Sequence, residues 1–153
     1  MFLSKVYFML QYDSEVNPSV TNAFATAAFR FGHSLVQSQM ENYGVFGNLL
    51  KSHQLHEHQQ SPYVIYDRNS IDGFVRGLTT QPVQSMDTAF SEELTNRLFQ
   101  GNESHGMDLV ALNVQRGRDH GLPPYLEWRK ICGLPKINSW KQLVSIVDGP
   151  QVN

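Results

Sequence analysis

Apolar residues along the N-terminal third recur at helical spacing. Val20, Phe24, Ala27, Phe31 and Leu35 form one stripe, preceded by Asn17 and Pro18 as a cap and first-turn pair. The pattern predicts a first helix from about Pro18 to Met40. A second is predicted from Ser70 to Leu78, with Ile71, Phe74, Val75 and Leu78 on one face and Pro82 beyond its end. Phe90, Leu94 and Leu98, at spacing four before Gly101, mark a third from Thr88 to Gln100. A fourth runs from Met107 to about Arg116. Leu122-Pro123-Pro124 opens a fifth that reaches Cys132 before Gly133, and Ser139 to Val147 makes a sixth. Between the first two, residues 42 to 66 contain Gly44, Gly47 and a His/Gln-rich stretch from Ser52 to Ser61, and read as a long loop. No segment reads as a strand, and no repeat or domain boundary appears. The expectation is an all-α fold of about five to six helices joined by long loops, with 1–153 forming a single unit.

Composition narrows the function classes. The 153 residues and 41% hydrophobic content suffice for the core of one domain. A net charge of −2 gives no electrostatic case for nucleic acid or an anionic membrane. No apolar run approaches the roughly 20 residues that span a bilayer. Met1 to Leu10 is apolar but interrupted by Lys5 and lacks a small-residue cleavage site, so it reads as a core segment and not as a secretory signal. The single cysteine, Cys132, leaves two readings open: a buried free thiol, or one half of a pair whose partner lies elsewhere.

Arg30 and His33 stand three residues apart in Ala28-Phe29-Arg30-Phe31-Gly32-His33-Ser34-Leu35, a spacing that puts both on one helical face. An imidazole lone pair beside a planar guanidinium is what haem needs from one side: an axial ligand and a propionate partner. A satisfied core histidine beside a surface arginine is the plainer alternative. The same spacing recurs between Asn113 and Arg116. His53 and His56, with Glu57 beside them, have a spacing that can bind zinc on a helix, but their Gln-crowded surroundings argue for an adventitious site or none. Asn102-Glu103-Ser104 is a glycosylation acceptor triplet. There is no Gly-rich phosphate loop and no Ser/His/Asp set at a recognisable spacing.

Together, AAFRFGHSL and ALNVQRGRDHGLPPY resemble the animal haem peroxidases, in the right order and across the chain from about Tyr12 to its end. The resemblance implies that His33 is the proximal ligand of the haem iron and that Arg30 reaches a propionate. It implies that the Asn113 carbonyl accepts a hydrogen bond from the far nitrogen of His33, and that Arg116 is a second propionate arginine. Arg118, Asp119 and His120 belong to the same motif and read as structural, an Arg-Asp pair ordering a helix end. In the family the distal histidine, glutamine and arginine, the calcium loop and the ester-forming carboxylates precede the proximal segment. Here His53, His56, His58, His105 and His120 all follow His33. The sequence therefore reads as the proximal-haem half of a peroxidase domain, with no catalytic residue of its own, no family calcium site and the covalent attachment of its b-type haem in doubt. By resemblance the complete enzyme is extracellular, reduces hydrogen peroxide while oxidising a small donor, and serves the response to oxidative stress. Cys132, in WRKICGLP, resembles a family cysteine that pairs further downstream. A non-catalytic helical adhesion or interaction module derived from such an enzyme is the rival reading.

Overall fold

The computed structural model describes residues 13–147. The N-terminal segment predicted to be core, Met1 to Leu10, lies outside them. Along the described chain run α1 (Asn22–Thr26), a 3₁₀ segment (Ala28–Leu35), β1 (Gln39–Tyr43), β2 (Leu49–Gln54), α2 (Leu55–His58), a second 3₁₀ segment (Pro62–Tyr66), α3 (Ser70–Thr80), α4 (Glu92–Thr95), α5 (Leu109–Asp119), α6 (Tyr125–Ile131) and α7 (Trp140–Val147). The fold is predominantly helical, as the periodicity predicts, with one two-stranded sheet.

The first predicted helix is broken. Thr21, not Asn17, caps α1, its side chain accepting from the Phe24 amide, while Asn17 closes a local turn by accepting from the Ser19 amide. At Ala27 the backbone leaves the helix, with φ −127° and ψ −63°. The Arg30 side chain explains the break. Its Nε donates to the Thr26 carbonyl at 2.7 Å, taking the acceptor that a continuing α-helix would give to the Arg30 amide, which donates to Ala27 instead. The apolar stripe from Val20 to Leu35 is accordingly split, and Phe29 and Phe31 stay exposed.

The expectation of no strands is overturned by an antiparallel hairpin that pairs Gln39 with Gln54, Met40 with His53 and Glu41 with Ser52. Its strands carry too few apolar residues to alternate visibly, so the signal lies in the turn. Gly44 donates to Asn48 at 2.8 Å, and Gly47 takes φ +76°, the left-handed region that suits glycine.

Helix α3 matches its predicted span but packs by another face. Ile71, Val75 and Leu78 are exposed, whereas Ser70, Gly73 and Gly77 are buried against β1. A Cβ at Gly77 would fall on the Glu41 carbonyl oxygen, and one at Gly73 on the Asn42 side chain. The glycines therefore let the helix backbone lie directly on the strand. The predicted third helix shrinks to α4, although its Leu94 and Leu98 are buried as the spacing implies. Leu94, Leu98 and Ile137 are the buried apolar residues among those described, and no large side chain is fully buried. Cys132 ends α6 exposed, which overturns the buried-thiol reading.

Candidate functional site

The 3₁₀ segment and α5 bring three of the four predicted site residues together. Asp108 caps α5, its carboxylate accepting from the Val110 and Ala111 amides at 2.8 and 3.3 Å. One turn further along, Asn113 points back at the 3₁₀ segment. Its Nδ2 lies 3.0 Å from His33 Nδ1, and its Oδ1 accepts from Arg30 Nη1 at 3.2 Å. Asn113 thus meets His33 through its amide nitrogen, whereas the resemblance implied its carbonyl as acceptor. A guanidinium has no acceptor, so with Arg30 in contact the oxygen must face it and the nitrogen must face the ring. Arg116 follows Asn113 by three positions on α5, exposed, and its guanidinium has no hydrogen-bond partner among the described residues.

Three residues of this network were not singled out as site residues by the sequence, or were given another task. Thr26, buried, presents its carbonyl to Arg30 Nε and donates its hydroxyl to Asn22 Oδ1 at 3.0 Å. His120 Nδ1 lies 2.7 Å from Asn22 Oδ1 and 3.1 Å from Thr26 Oγ1, the pattern of an Nδ1–H donating to both oxygens. Thus His120 ties the end of α5 to α1 at Thr26, the residue whose carbonyl holds Arg30. The predicted Arg118–Asp119 pair does not form; Asp119 accepts from Gln115 Nε2 at 2.8 Å instead, one helical turn away. The i, i+4 spacing of Asn22, Thr26 and Arg30 was the available signal for this alignment.

Partial burial, and then the positive charge of Arg30, hold His33 below the usual imidazole range, and the hydrogen bond with Asn113 opposes them. Both causes favour the neutral ring, the form that keeps a lone pair for a metal. Its Nε2 has no partner among the described residues. Chemically, the set offers one oriented neutral imidazole and two guanidiniums suited to carboxylates.

The other histidines serve different contacts. His53 and His56, at a spacing that can bind zinc, turn to separate partners: His53 Nδ1 meets His58 Nε2 at 3.3 Å, while His56 Nδ1 meets the buried Glu93 carboxylate at 2.6 Å. Among the described residues no three His, Cys, Asp or Glu side chains are grouped to hold a metal ion. A groove of about 300 Å³ lined by Leu35, Met40, Leu55, Phe74 and Leu78 involves none of His33, Arg30, Asn113 or Arg116. No helix among the described residues is long and apolar enough to cross a membrane.

Comparison with known proteins agrees with the motifs. The family model described as animal haem peroxidase matches residues 2–153. The chain is 42% identical over 133 residues to thyroid peroxidase from Homo sapiens, covering 84% of this chain and 14% of that protein. It is 39% identical over 152 residues to a peroxidasin homolog from Homo sapiens, covering 92% and 10%, and 36% identical over 131 residues to chorion peroxidase from Drosophila melanogaster, covering 86% and 16%. Among solved structures, peroxidase A from Dictyostelium discoideum superposes with a TM-score of 0.77 at 35% identity, covering 92% of this chain and 27% of that one. The chain thus spans 10 to 16% of the length of these curated relatives.

Proposed function

The chain belongs to the animal haem peroxidases, and from that premise we propose that it forms the proximal wall of a haem site in an extracellular, peroxide-reducing enzyme of oxidative-stress chemistry. The observation that carries the reading is the His33–Asn113 contact across 80 residues of sequence. A neutral imidazole whose Nε2 meets no described residue, and whose Nδ1 is held by an amide, would suit an axial iron ligand once its proton moves from Nε2 to Nδ1. Arg30 and Arg116 suit the two propionates of a b-type haem. The donor set therefore fits the group, which when bound supplies the two-electron reduction of hydrogen peroxide and the oxidation of a small donor.

The residues of this chain orient and tune. Ligation through Nε2 places the proton of the neutral ring on Nδ1, where it needs an acceptor. The Asn113 oxygen would serve as that acceptor if Arg30, which now donates to it, were held by a propionate instead. A neutral carbonyl acceptor donates less electron density to the ring than a carboxylate would. The base and positive donor that peroxide cleavage requires on the opposite face are assigned to none of the residues present.

Haem titration of the purified chain tests the reading. The wild type, His53→Phe and His105→Ala should give an imidazole-ligated ferric spectrum, and His33→Ala should lose it. Oxidation of tetramethylbenzidine by the loaded chain should not exceed that of free haem. An unchanged spectrum in His33→Ala would overturn the assignment. A wild-type chain that takes up no haem would favour the non-catalytic module instead.

A further inference from the structure

We propose that Asn102 is an N-glycosylation site, the acceptor of an oligosaccharide from a lipid-linked diphosphate donor; the proposal rests on the extracellular placement put forward above. The sequence holds two Asn-X-Ser triplets, Asn17-Pro18-Ser19 and Asn102-Glu103-Ser104, and the proline excludes the first. Structure separates them further. The Asn17 side chain is engaged, accepting from the Ser19 amide at 2.9 Å. The Asn102 amide makes no hydrogen bond among the described residues, and Asn102, Glu103 and Ser104 are all exposed.

The geometry around Asn102 is that of a turn held at its neck and open at its tip. Leu98 and Met107 form an antiparallel bridge, with the Met107 amide donating to the Leu98 carbonyl at 2.8 Å, and the Gly106 amide donates to Asn96 at 2.7 Å. Inside this neck the Glu103 amide donates to the Gln100 carbonyl at 3.0 Å, and Gln100 Nε2 donates to the Glu103 carbonyl at 3.0 Å, closing a turn over Gly101 at φ +55°. Backbone and neighbours thus complete the loop without the Asn102 side chain. A glycan on its Nδ2 displaces no contact that the fold uses. It would also set a bulky, solubilising group near the half-exposed Phe99 and Met107.

In the transfer, Asn102 Nδ2 attacks the anomeric carbon of the donor sugar. The new N–C bond forms as the C–O bond to diphosphate breaks, the lipid diphosphate leaves, and one amide proton is lost. No redox partner is needed.

The test is translation of the full 153-residue chain behind a cleavable secretory leader with rough microsomes. The protease-protected product is then analysed with and without an endoglycosidase that cleaves within the N-linked core. One endoglycosidase-sensitive mobility step is expected in the wild type and Asn17→Gln, retained or enhanced in Ser104→Thr, and absent in Asn102→Gln and Ser104→Ala. A protease-protected chain with no such step in either the wild type or Ser104→Thr overturns the proposal, as does a step that survives Asn102→Gln. The leader supplies entry to the lumen, so failure of the extracellular reading shows separately, as retention of the natural product inside cells that make it.

Discussion

Replacing Asn113 with alanine tests whether its amide joins Arg30 to His33 in the folded chain. The substitution removes an acceptor from a guanidinium 3.2 Å away and a contact to an imidazole 3.0 Å away. A hydrogen bond to a charged group contributes about 1.5–3 kcal/mol and one to a neutral group about 0.5–1.5 kcal/mol. Arg30, His33 and Asn113 are all half-buried, so water reaches the vacated positions and recovers part of both. A net loss of about 1–2 kcal/mol remains. In urea this should lower the unfolding midpoint by about 0.5–1 M without changing the slope. Unfolding would be followed by far-ultraviolet circular dichroism, with exposed Val114→Ala as the control on the same helix. A double-mutant cycle with His33→Ala should give a coupling of about 0.5–1.5 kcal/mol. A coupling within about 0.3 kcal/mol of zero, beside an unchanged midpoint, would refute the contact.

Gly77→Ala should destabilise the chain by about 2–3 kcal/mol, because the new methyl meets the Glu41 carbonyl on the strand backbone, which cannot move aside as a side chain would. Gly117→Ala, where a Cβ meets nothing, should cost little or add stability, and equal losses in the two variants would refute the argument. Acid sensitivity should begin well above the carboxylate range. Burial, then the charge of Lys51, then His58, hold His53 below the ordinary imidazole value of 6.5 against the opposing pull of Glu57 and Asp67, and His33 is shifted the same way. Between that value and the lower folded one the unfolded chain binds more protons, so stability is complete above pH 6.5 and falls as pH drops through this window. His53→Phe, which keeps a ring against Phe74, should flatten the fall in urea midpoint from pH 7 to pH 5; an unaltered slope would show that His53 does not contribute.

The parts of the site legible in the sequence were those written into a local motif. His33 and Asn113 each sit in a segment whose residue order is specific, and their meeting follows from the family pattern, whereas hydrophobic spacing alone left His33 open to a plainer reading. The helix around it was less legible because periodicity reports which face is apolar, not where the chain stops being helical. Residues 18–40 have the right spacing throughout, and the break at Ala27 comes from Arg30 taking a carbonyl that the pattern assigns to the backbone. In α3 the same rule identified Ile71, Val75 and Leu78, while the face in contact with β1 is the Gly73–Gly77 line, visible only as a repeat of small residues at spacing four. These failures share a cause, since in both places a backbone group, and not a side-chain surface, is the contact. At Arg30 that cause is part of the site itself. One guanidinium spends Nε on the Thr26 carbonyl and Nη1 on the Asn113 amide, so the break in the helix and the orientation of Asn113 behind His33 are set by the same planar group. A lysine at this position would keep the charge but, having a single nitrogen, would not reproduce the two-directional hold.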